Sequence, residues 1–247
     1  MQINIGDHWL GDIPFLPSPI NTVHLDTIIT SWIAMAVVII LALIITRNLN
    51  RVPGKIQIVA EGLMKFLDDI SVSQMGKEGI KHTPLIASLF LFILAANLLN
   101  NIPLKLIHLP DGEFASPTND LNVTASLAIL VSIYYFGAGI AKKGFGYFKH
   151  YFKPFPVLAP LNFLEDFTRP VSLSVRLFGN ILAGEVIIGI LIAFFFMFSQ
   201  IIAIIVIPVE SVILVFVLFE LFIAVIQAFI FAVLSASYVA MATSDDH

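Results

Sequence analysis

Five side chains able to hold a charge or relay a proton stand in the last third of the chain, inside stretches that otherwise read as hydrocarbon. Arg176, Asn180 and Glu185 lie in "SVRLFGNILAGE", and Glu220 and Gln227 follow in "FELFIAVIQAF". From residue 177 to residue 244 the only charged groups are Glu185, Glu210 and Glu220. An ionisable residue inside a membrane span is costly and is read first as functional. Arg176 is the sharpest case, because a guanidinium stays protonated in proteins and cannot escape burial by neutralising. It must snorkel to an interface, face water, or face an anion.

Helical geometry sorts these groups by direction. Arg176 and Asn180 share a face, about 40° apart, whereas Arg176 and Glu185 lie about 180° apart and roughly 13 Å along the axis. Glu220 and Gln227 share a face within about 20°. If the two helices pack antiparallel, Glu185 approaches Glu220 and Arg176 approaches Gln227. Two neighbouring carboxylates resist being ionised together, which suits proton relay. Gln227 is equally readable as an ordinary interhelical hydrogen-bonding residue. Glu210, beside Pro208, reads as a solvated turn residue that lines an approach to the path. Glu165 and Arg169 have i, i+4 spacing and read as an ion pair. Together with Asp166 they also read as an acidic cluster at an ion exit on the inner side.

The elements that position these residues are membrane helices. The 247-residue chain is 58% hydrophobic and only 12% charged, with a mean hydropathy of +0.95. A soluble domain of this size carries roughly twice that charge, so the solvent for most of this surface is lipid. Cysteine is absent and net charge is −4, which excludes a thiol nucleophile, a disulfide framework and a nucleic-acid partner. The histidines have no metal-ligand spacing, and no Ser–His–Asp arrangement or Gly-rich phosphate loop is present. The expectation is a chain with no cofactor, no metal and no covalent chemistry of its own. The N-terminus lacks the pattern of a cleaved signal peptide.

Residues 28–46, 83–104 and 121–141 are uncharged and long enough to span, after an outer tail over 1–27. Between the first two, residues 55–74 alternate with helical period between Ile56, Val59, Leu63, Phe66, Leu67, Ile70 and a charged face. This amphipathic helix lies on the membrane or packs on another subunit. The tract after 176 would be roughly 100 Å long as one helix, against a hydrocarbon core of about 30 Å. It must turn back, near residues 199–208, giving long helices over 160–198 and 209–244. The first of these is strongly tilted or kinked at Pro170. The fold class is therefore all-α and polytopic, with about five spans in a single membrane domain. Arg47, Arg51 and Lys55 follow the first span, and Lys142, Lys143, Lys149 and Lys153 follow the third. Those loops read as cytoplasmic, with the N-terminus and the acidic 105–120 loop outside and the C-terminus inside.

At "RPVSLSVRLFGNILAGE" the sequence resembles subunit a of the membrane sector of F-type ATP synthases. "PTNDLNVT", "LEDFTRPVSLS" and "IQAFIFAVLSASYV" fall in the family's order, so the likeness covers nearly the whole chain. "LEDFTRP" and "KKGFGYF" are most similar to the cyanobacterial and plastid branch. Gly184 stands where plastid members commonly carry Asp, and Glu220 where they lack an acid. The resemblance implies that Arg176 faces a rotating ring of subunit c and separates two half-channels. It implies that Asn180, Glu185, Glu220 and Gln227 line the ion path or support the arginine, and that Asp120 and Asn122 belong to the outer half-channel region. It further implies subunit b of the peripheral stalk as a partner, indirect attachment to the soluble catalytic head, and a bacterial plasma membrane or a thylakoid-type membrane. The reading from the residues alone leaves two rivals, a self-sufficient secondary transporter binding an anion at Arg176 and a structural anchor. The first lacks an internal repeat, and the second leaves the intramembrane polar groups unexplained.

Overall fold

A computed structural model describes residues 10–12, 22–47, 49–101, 116–152, 155, 157, 159–202 and 209–244. Among the described residues the long apolar stretches are α-helical. A short antiparallel strand pair, β1 (Leu10–Asp12) and β2 (Thr22–His24), with Leu10 opposite His24, precedes α1 (Leu25–Arg47). Then follow α2 (Lys55–Met75), a 3-10 turn (Gly76–Lys81), α3 (Thr83–Asn101), a 3-10 turn (Pro117–Asn119), α4 (Leu121–Lys143) and a longer 3-10 stretch (Gly144–Phe152). Two long helices close the chain, α5 (Ala159–Ile202) and α6 (Val209–Thr243). Helices α1, α3 and α4 and the stretch Leu214–Thr243 of α6 are each long and apolar enough to cross a membrane. The acidic part of the expected outer loop, 102–115, and the expected turn, 203–208, lie outside the described residues, as does most of the N-terminal tail.

Local chemistry sets the helix ends. Asp120 caps α4, its carboxylate accepting the Asn122 backbone N–H at 2.8 Å. Gly144, at φ 58°, closes α4 by returning its N–H to the Ile140 carbonyl. In α2, Leu67, Ile70 and Ser71 are buried, while Ile56, Val59 and Phe66 are exposed. The helix therefore packs on the bundle through Leu67, Ile70 and Ser71, while Ile56 and Val59 near its start stay uncovered.

The core lies between α3, α4, α5 and α6, around Phe90, Ile93, Val131, Tyr135, Leu173 and Phe231. On α6, Ala224, Ala228, Ala232 and Ala236 recur every fourth residue and are all buried. Such a small-residue ridge lets backbones approach closely where no hydrophobic drive separates helix from lipid, and α3 is the helix that packs most extensively on α6.

Helix α5 runs unbroken through Pro170. At 44 residues it is roughly 66 Å long, about twice the thickness of a hydrocarbon core. Pro170 has no N–H to give to the carbonyl four residues earlier, that of Asp166. Tyr135 on α4 supplies the missing donor, its hydroxyl reaching the Asp166 carbonyl at 3.3 Å. The Asp166 side chain is also engaged: Arg169 Nη1 lies 2.8 Å from it, and the Tyr151 hydroxyl donates to it. Burial, and after it the hydrogen bond to Asp166, raise the Tyr151 phenol above its ordinary range, so it stays a donor. Arg169 lies over the Tyr238 ring at 5.6 Å as well, tying α5 to α6.

Tyr135→Phe should leave the Asp166 carbonyl unpaired at a cost of about 1–3 kcal/mol, read as a lower unfolding temperature of the purified assembly. Pro170→Ala restores the intrahelical donor, so the double variant should recover most of that loss. Equal losses with and without Pro170 would remove the tyrosine from this role.

Candidate functional site

The polar residues of α5 and α6 meet through a specific register. Asn180 donates to the Gln227 side-chain oxygen at 2.7 Å, and Gln227 is buried. The glutamine expected opposite Arg176 is thus held one helical turn further along α5. Two turns before Gln227, on the same face of α6, stands Glu220. Its carboxylate sits against Gly184: a Cβ built there would fall 2.9 Å from Glu220 Oε1. Gly184 is the space the carboxylate occupies.

These groups line a partly open cavity of about 260 Å³. Asn180, Gly184, Glu220 and Gln227 form its α5 and α6 walls, and Asn97 and Asn100 come from α3. Asn97 is buried; its amide donates to the Ala224 carbonyl at 3.5 Å, and among the described residues its Oδ1 has no hydrogen-bond partner. An unpaired buried amide oxygen costs about 1–3 kcal/mol, which sets Asn97 apart from the apolar residues of this helix. The sequence reading treated α3 as a plain span. The available signal was two amides three residues apart, on one face, in an otherwise apolar helix.

Arg176 stands apart from this cluster. Its side chain is exposed on α5, and among the described residues no hydrogen bond or ion pair holds its guanidinium. The backbones of Glu185 and Glu210 belong to α5 and α6; their side chains lie outside the described residues.

Asp120 and Asn122 lie at the start of α4, where Asn122 is exposed and the buried Asp120 meets His24 Nδ1 at 2.6 Å. Ser116, at the head of this segment, donates to the Ala96 carbonyl at 2.8 Å, next to Asn97 of the cavity wall. Glu165 and Asp166 lie at the opposite end of the bundle. Glu165 is exposed and pairs with Arg169 at 2.8 Å, and Asp166 is buried in the network at Pro170. The structure thus brings Asn180, Glu220 and Gln227 together, sets Asp120 and Asn122 at one end, and puts Glu165 and Asp166 at the other.

Gly184→Ala should displace the Glu220 carboxylate and slow proton translocation in reconstituted vesicles while leaving the protein assembled. Gly137→Ala, whose new Cβ meets nothing within 4 Å, should not. Equal rates for the two would show that Glu220 does not depend on that space.

The model of the ATP synthase A chain family matches residues 28–240 of this sequence, covering every membrane-capable helix from α1 through nearly all of α6. The chain belongs to the ATP synthase A chain family and is a membrane-spanning, proton-transporting subunit a of the ATP synthase membrane sector.

Proposed function

We propose that this chain is the stator of a rotary motor: it provides two offset proton half-channels and presents Arg176 to a ring of subunit c. The observation that carries the reading is a guanidinium exposed on an apolar helix with no anion of its own among the described residues, one turn from a polar cavity. A permanent cation in that position needs an anion, and a ring carboxylate supplies one. The family match does not favour a stand-alone anion transporter.

The mechanism follows from burial energetics. A ring carboxylate facing lipid is held neutral, because a bare charge there is expensive. Beside Arg176 its ionised form is favoured, so its proton leaves into one half-channel. Past the arginine it reloads from the other half-channel before returning to lipid. A proton hopping directly between the channels would have to approach the guanidinium, which repels it. Each charge that crosses releases about 2.3 kcal/mol per 100 mV, and the offset between the channels turns that release into rotation.

In this reading Glu220, Gln227 and Asn180 line the path, with Asn97 and Asn100 added to it and Glu185 beside it on α5. Asp120 and Asn122 stand toward the outer mouth, and Glu210 near the outer turn. Glu165 belongs to the inner side. Asp166, already held by Arg169 and Tyr151, anchors that end. The second half of α5 is the fifth span, tilted across the ring's face. The distribution of Lys and Arg supports an outer N-terminus and a cytoplasmic C-terminus. Subunit b, the catalytic head through the stalk, and the lipid of a bacterial plasma or thylakoid-type membrane complete the surroundings. "LEDFTRP" and "KKGFGYF" support a place near the cyanobacterial and plastid branch.

Arg176→Ala should abolish proton-driven ATP synthesis in the reconstituted complex and open a passive leak. Normal coupled synthesis in that variant would sink the mechanism. Glu185→Gln should slow passive flux severalfold without loss of assembly, and an unchanged rate would take Glu185 off the path.

A further inference from the structure

Among the described residues, the closest contact between a histidine and a carboxylate lies away from the cavity, at the end of the bundle where α1 and α4 begin. His24 closes strand β2, and its Nδ1 lies 2.6 Å from Asp120 Oδ2. The two differ in exposure. The imidazole side chain is 28% exposed, whereas the Asp120 side chain is 6% exposed. A buried carboxylate cannot exchange protons freely with bulk water, but a half-open imidazole joined to it can, and imidazole is the ordinary side chain that loads and unloads near neutral pH. Among the described residues the titratable neighbours of His24 are Asp120, its contact, and Asp26, two residues on in the chain and buried in the first turn of α1.

Inward from Asp120 the polar groups continue. Thr124, one turn along α4, is fully buried and shares a hydrogen bond of 3.1 Å with buried Ser174 on α5, two residues before Arg176. A pairing meant only to fasten β2 to α4 would not need a titratable ring at the solvent edge of such a row.

We infer that His24 is the outermost proton-relay group of this subunit, taking a proton from the outer medium and passing one to Asp120. The step balances on the ring: one nitrogen gains a proton from water, the ring becomes imidazolium, and Nδ1 releases its proton to Asp120 Oδ2. The imidazole ends neutral and Asp120 carries the proton inward. This rests on the rotary reading above, which makes this end the outer one.

The test uses the whole ATP synthase in liposomes, with passive proton flux followed over about pH 5–8 on the outer side of subunit a. His24→Ala should slow flux severalfold and steepen its dependence on outer pH. Free imidazole supplied to that side should restore much of the rate. His24→Gln keeps an amide donor for Asp120 without a titratable ring, so it should assemble normally and remain slow. Wild-type flux in His24→Gln, or a slow His24→Ala that imidazole does not rescue, would reduce the pair to a structural clip and overturn the inference. If His24→Ala does not assemble, His24→Gln with and without imidazole decides alone. Arg176→Ala in the same liposomes keeps the two ideas separate. Coupled synthesis there removes the rotary reading itself, whereas its loss beside a full-rate His24→Gln removes only the role of His24.

Discussion

A guanidinium does not give up its proton in a protein, and the arrangement of α5 and α6 follows from that constraint. Asn180 and Gln227 are hydrogen-bonded to each other, and among the described residues neither amide bonds the cation one turn away. Glu220 is drawn back into the space left by Gly184. The acids at the Pro170 end are neutralised by a second arginine, Arg169, which takes both Glu165 and Asp166. The acid at the other end, Asp120, is paired with a histidine. Among the described residues these anions are occupied or held off, and Arg176 remains exposed on α5.

Fixing the position of a helix of this length requires anchors, because apolar contact with lipid favours no one placement over another. Tyr135 pairs the carbonyl that Pro170 leaves open, and Tyr151 and Arg169 grip the adjacent carboxylate. One turn of α5 is therefore fastened to α4, to the 3-10 stretch after it, and through Tyr238 to α6. Further along, the Thr124–Ser174 and Asn180–Gln227 hydrogen bonds fix the helix again. Interhelical hydrogen bonds of this kind contribute about 0.6–2 kcal/mol each in membranes, so the position of Arg176 rests on several modest contacts at spaced points.

Much of this was legible before any coordinates. Uninterrupted apolar runs reveal spans, because the hydrocarbon forbids unpaired backbone and unpaired charge alike. The same rule makes Arg176, Glu185 and Glu220 conspicuous. Asn97 was not, because amides in an apolar run are compatible with any interhelical contact. Only the cavity wall and the unpaired Oδ1 distinguish it. By sequence His24 belongs only to an outer tail, since 96 residues separate it from Asp120, and no local periodicity encodes a meeting at that distance.

Sequence alone determined the solvent, the helical class, the need for the last apolar tract to turn back, and the intramembrane groups that demand explanation. Each of these depends on composition or on the angular period of one helix. The tertiary structure decided the partners: Asn180 rather than Arg176 for Gln227, Gly184 as the seat of Glu220, Tyr135 for the carbonyl freed by Pro170, and His24 for Asp120. Those choices depend on the register and tilt between helices. A helix's own period says which face a residue occupies but not which turn of a neighbour will stand opposite it.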